Sequence, residues 1–168
     1  MDSRDSKILD TIVDEILRGE RMVLFPPGAL VFVIATVSLQ MGAALVAASS
    51  FPPLLFRQGI HAGMAQMLGL VSASAFVCLP AILVALGRSG GYAIVKHVVH
   101  YALGVSVLLT IASLTNMVCI SLTTLVIATF FVVVSNRLVS SISYRTFSTF
   151  KRRLRERRQQ ARTTRNEG

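Results

Sequence analysis

The chain has 168 residues, a formal net charge of +9, and is 53% hydrophobic but only 15% charged, where soluble domains run at about 25% charged. Residues 1–27 hold six acids and four bases, residues 28–136 three bases and no acid, and residues 137–168 ten bases and two acids. A central stretch this poor in charge cannot give every element a wet face. That excludes a soluble enzyme, a disordered chain and a disulfide scaffold, and leaves an all-α, polytopic membrane protein.

Residues 1–24 read as a cytoplasmic amphipathic helix. Ser6 is placed to cap its start, and Ile8, Leu9, Ile12, Val13, Ile16 and Leu17 fall on one helical stripe. Lys7, Asp10, Thr11, Asp14, Glu15 and Arg18 fill the other face, with Asp14 and Arg18 spaced to pair, and Gly19 is a stop. The stripe predicts a docking helix, seated on a partner, on a second copy of the chain, or flat against its own bundle or the interface.

Four transmembrane helices follow in residues 28–138. The first, 28–50, lies between Pro26-Pro27 and Pro52-Pro53, which mark its boundaries. Val46-Ala47-Ala48 has the small residues of a signal cleavage site, but the apolar run is about twice the usual 7–15 residues, so the helix is expected to stay uncleaved. The second, 62–86, contains Pro80 and closes at the turn Gly87-Arg88-Ser89-Gly90-Gly91. From Val98 to Ser135 there is no Lys, Arg, Asp or Glu. As one helix this would be about 57 Å long, nearly twice the bilayer core, so it must fold back. A turn at Ser113-Leu114-Thr115-Asn116 divides it into a third span, 93–114, and a fourth, 117–138.

Four crossings put both termini on the side that carries Arg18, Arg21, Arg88, Lys96 and Arg137, with Arg57 facing the other way. The Lys/Arg bias makes the first side cytoplasmic. The lack of Trp and the preference for Arg over Lys suit a GC-rich bacterial genome, hence a bacterial inner membrane.

Residues 139–168 form a basic, helical cytoplasmic tail. Tyr144, Phe147, Phe150 and Leu154 recur at helical spacing ahead of and into the run Lys151, Arg152, Arg153, Leu154, Arg155, Glu156, Arg157, Arg158. The reading is that Phe147 and Phe150 enter the headgroup boundary while the bases meet anionic lipid or a partner. The basic run has no aromatic for base stacking, which sets nucleic acid aside.

Within the spans, Gly59 with Gly63, and Ala65, Gly69 and Ala73, form small-residue ridges for close helix packing with other membrane subunits, a homo-oligomer or the chain's own helices. Gln40 and Gln66 are expected to satisfy each other or a nearby hydroxyl. The acid-free membrane region argues against a carboxylate relay. His97 and His100 lack the acidic or thiolate partners of a metal or haem site. Cys78 and Cys119 differ by about 20 Å in depth, too far for a disulfide. No catalytic, cofactor or metal residues emerge. The expected function is a non-catalytic membrane subunit of a secretion, conjugation or transport apparatus; a holin-like pore former or a membrane immunity protein are the alternatives.

Overall fold

The computed structural model describes residues 3–18, 26–56, 61–115 and 120–167. These hold six helices and no strand: α1 (Ser3–Leu17), α2 (Ala29–Phe56), α3 (Ala62–Ala85), α4 (Gly91–Leu114), α5 (Leu122–Val139) and α6 (Ile142–Glu167). Four of them, α2 to α5, are long and apolar enough to cross a membrane, which is consistent with an integral membrane protein.

α2 packs on α3 and α5, and α4 packs on the same two helices, while α2 and α4 meet only weakly across the middle. The result is a ring of four helices around a thin core. Small side chains face inward: Ala35, Ala65, Ser106, Ala128 and Ser135 are fully buried. Large ones face outward, with Leu30, Met67, Leu108 and Phe130 each more than 60% exposed. Bulky apolar side chains thus lie outside as well as inside, where Leu125, Val99 and Val132 are fully buried. Between lipid tails there is no hydrophobic drive to hide leucine, and helices approach by van der Waals contact between small residues.

A close contact within the bundle joins α2 to α5. A Cβ on Gly42 would lie 2.7 Å from Val132 Cγ2, so only glycine lets the helices come this close. The Ser135 hydroxyl crosses the same seam and donates to the Ala35 carbonyl at 2.9 Å. Other span hydroxyls bond back along their own helix, as Thr36 does to Phe32 and Thr129 to Leu125.

Several boundaries differ from the sequence expectation. α1 starts at Ser3, so Ser6 lies inside it rather than at its cap. α2 runs through Pro52-Pro53 to Phe56. A proline's fixed φ is itself helical, so the pair removes two hydrogen bonds, to the carbonyls of Ala48 and Ser49, without forcing an end. α4 begins at Gly91, released by Gly90 in the left-handed region at φ 88. α5 begins at Leu122 rather than Met117, because Ser121 is extended (φ −61, ψ 113). The hairpin before it is closed by Ser113, whose hydroxyl donates to the Ile120 carbonyl at 2.8 Å. Gly19, Arg57, Gly59, Asn116 and Cys119 lie outside the described residues.

Candidate functional site

The start of α2, the end of α3, the start of α4 and the end of α5 meet at one end of the bundle, and α6 lies across it. Two buried rings anchor it there. Phe147 stacks on Phe32 with centroids 4.6 Å apart, and Tyr144 sits 5.8 Å from Phe32 and 6.0 Å from Tyr92. Burial pushes the Tyr144 phenol well above its usual value, with Tyr92 adding to the effect. Arg145 Nε donates to the Tyr92 hydroxyl at 3.1 Å.

Two glycines admit this helix. Gly28 has φ +78, and a Cβ there would run into the Ser143 carbonyl; Gly87 has φ +66, and a Cβ there would run into the Lys151 carbonyl. Each is therefore doubly required, by its left-handed backbone and by the approach of α6.

α1 packs on α6. Val13 and Phe150 are buried together, with Ile12, Ile16 and Leu154 around them. Asp10 pairs with Arg153 at 2.5 Å and Asp14 with Arg157 at 3.9 Å. The constant offset between these pairs sets the helices side by side in the same direction. Exposed pairs contribute about 0–1 kcal/mol each, whereas burying a Val or Phe side chain contributes about 1.5–3 kcal/mol. The apolar contact holds α1, and the ion pairs choose its register.

This docking sorts the cations of α6. Arg153 and Arg157 face α1, and Arg152 pairs with Glu156 at 3.0 Å. Arg155 and Arg158 point elsewhere, into a notch of about 440 Å³ that also takes Arg88, Lys151 and Arg162. The Lys151 ammonium lies 5.8 Å from the Phe147 ring centre. Phe147 and Phe150, read from the sequence as lipid or partner contacts, are 4% and 2% exposed and packed inside the chain. Of the docking stripe, Val13 is buried, Ile12 and Ile16 are half-buried, and Ile8 and Leu17 are exposed; the Leu9 side chain lies outside the described set.

A second feature lies toward the opposite end. There residues of α2, α3, α4 and α5 line an apolar groove of about 500 Å³, floored by Ala43, Ala47, Gly69 and Ala73 and flanked by Phe76 and Tyr101, whose ring centres lie 5.8 Å apart. Ser50 lines it, and its buried hydroxyl has no hydrogen-bond partner among the described residues. Gly69, buried, and Ala73, half-buried, thus line the groove, while Ala65 is fully buried and a Cβ on Gly63 would meet nothing within 4 Å among the described residues. The contacts at Gly42 and Ser135 were missed from sequence, since a lone Gly and a lone Ser carry no spacing signal.

Gln40 donates to Ser74 at 2.6 Å, a hydroxyl as anticipated, but Gln66 is exposed on the outer face. His97 and His100 are exposed, and His100 Nδ1 lies 2.7 Å from the Lys96 carbonyl. Among the described residues no three His, Cys, Asp or Glu side chains gather as metal ligands. Comparison with protein-family models, with curated proteins and with solved structures gives no match.

Proposed function

We propose that the protein is a non-catalytic subunit of a larger membrane assembly, such as a secretion, conjugation or transport apparatus, seated in a bacterial inner membrane with both termini in the cytoplasm. Its amphipathic N-terminal helix and basic C-terminal tail form one cytoplasmic cap. The observation that carries the reading is the apolar groove. It is floored by small residues that let a helix backbone approach, and it contains a buried hydroxyl, Ser50, with no partner among the described residues. Hydrocarbon cannot satisfy that hydroxyl. A transmembrane helix of another subunit, carrying a polar side chain at that depth, can. The lopsided Lys/Arg distribution supports the cytoplasmic placement of the cap.

The test is co-purification of the full chain from its native membrane in mild detergent. A stable larger complex is expected, and Ala73→Leu, which fills the groove, should remove the partner while leaving the elution and helix content of the free chain unchanged. A chain that runs alone from native membranes would overturn the reading. So would abrupt loss of membrane potential on expression, the behaviour of a pore former.

A further inference from the structure

The cations of α6 fall on two faces with different fates. Counting along the helix, Tyr144, Phe147, Lys151, Arg155, Arg158 and Arg162 recur at steps of three and four residues, and so lie on one stripe. The first two members of this stripe enter the bundle end. Its continuation therefore faces the same way, toward the plane in which α3 ends. Arg153 and Arg157 lie on the opposite side, where Asp10 and Asp14 take up their charge.

The stripe does not stand alone. The α3–α4 turn brings Arg88 to it, held close because Gly87 touches the α6 backbone at Lys151. Five cations from two segments thus line one notch, no acid lines it, and none of the five is ion-paired among the described residues. Its floor is apolar, formed by Ala85, Leu86 and Leu154. That floor continues into the outer face of α3, where Leu86, Ile82 and Leu79 are all more than half exposed.

We propose that this notch is a binding site for anionic phospholipid. Phosphodiester oxygens sit among Arg88, Lys151, Arg155, Arg158 and Arg162, and acyl chains run along Leu86, Ile82 and Leu79. From Lys151 to Arg162 the helix rises about 16 Å, more than one phosphate spans, so a bis-phosphate lipid such as diphosphatidylglycerol fits it best. A soluble polyanion has no use for the apolar floor. The inference rests on the membrane placement of α2–α5, so that placement needs its own readout.

The experiment uses the full chain in mild detergent, titrated with diphosphatidylglycerol or phosphatidylethanolamine and read by native mass spectrometry. In parallel, vesicles containing each variant are washed at alkaline pH to test insertion. Tighter binding of diphosphatidylglycerol is expected. A juxtamembrane base contributes about fivefold in affinity, so Arg155→Gln/Arg158→Gln/Arg162→Gln should lose on the order of a hundredfold. Arg88→Gln, outside the basic run, should lose about fivefold. Arg153→Gln/Arg157→Gln, on the side that faces Asp10 and Asp14, should change affinity less than about twofold.

Equal losses per charge on both faces, or no loss in Arg88→Gln, would overturn the site in favour of a diffuse polybasic anchor. Inorganic polyphosphate binding as tightly as the lipid would also overturn it. Chains released by the alkaline wash would sink the membrane placement itself, a failure distinct from an inserted chain that shows no lipid preference.

Discussion

At the capped end, side chains from α2, α4 and α6 close into one packed knot, with Phe32, Tyr92, Tyr144 and Phe147 in ring contact and α1 locked alongside. Toward the other end, the described residues leave a groove of about 500 Å³ beside a hydroxyl that none of them bonds. The helices are the same at both ends; what differs is whether a further element of the chain arrives to cover them. α6 covers one end because its first two turns are aromatic, and no comparable element among the described residues covers the groove. The apolar contacts of the capped end are therefore made within the chain, and on the function proposed above the groove is where a partner has something to add.

The comparison can be broken at several points. The largest effect is expected for Phe150→Ala, since truncating a buried Phe costs about 3–5 kcal/mol. It should free α1 from α6 and speed tryptic cleavage within the Arg-rich segment, while leaving the four spans helical; unchanged cleavage would mean that α1 is not held by this contact. Next comes Gly87→Ala. A side chain there is strained at φ +66 and strikes the Lys151 carbonyl, a penalty of about 1–3 kcal/mol, read as a lower midpoint of thermal unfolding in detergent. Gly63→Ala, with nothing within 4 Å among the described residues, is the matched control and should not lower the midpoint.

The third test is alkaline. The Tyr144 phenol holds its proton more firmly in the folded chain. Its contribution is intact below the unfolded value of roughly 10 and fades as pH rises above it. Hydrogen exchange in α6 should accelerate above that pH, and Tyr144→Phe should flatten the response. The smallest effect belongs to Asp10→Asn with Asp14→Asn. Two exposed pairs are worth less than about 2 kcal/mol together, and the difference from the native chain should shrink as salt is added.

The four spans were legible because a bilayer demands length and apolarity, and both are written locally in the chain. The turn from Gly87 to Gly91 was legible for a similar reason, since left-handed backbone calls for glycine. Pro52-Pro53 misled because proline signals a boundary only statistically; its φ fits the helix that continues to Phe56. Met117 misled as a helix start because hydropathy does not register the extended backbone of Ser121.

Of the site, the residue types in α1 and α6 were visible, and their destinations were not. The aromatics at 147 and 150 carry the spacing of a membrane-surface helix, and that spacing serves equally to pack on a bundle end. Arg88 could not be joined to the tail at all, because the two are more than sixty residues apart in sequence.

Composition and periodicity alone determined that this chain is helical, that four stretches have the length and apolarity to cross a bilayer, and that its charge is gathered at the ends. Those properties depend on local chain chemistry meeting a solvent. Only the tertiary structure decided which arginines are neutralised by Asp10 and Asp14 and which remain open beside Arg88. Pairing of charges depends on helix faces brought together across the whole length of the chain, and no local pattern encodes it.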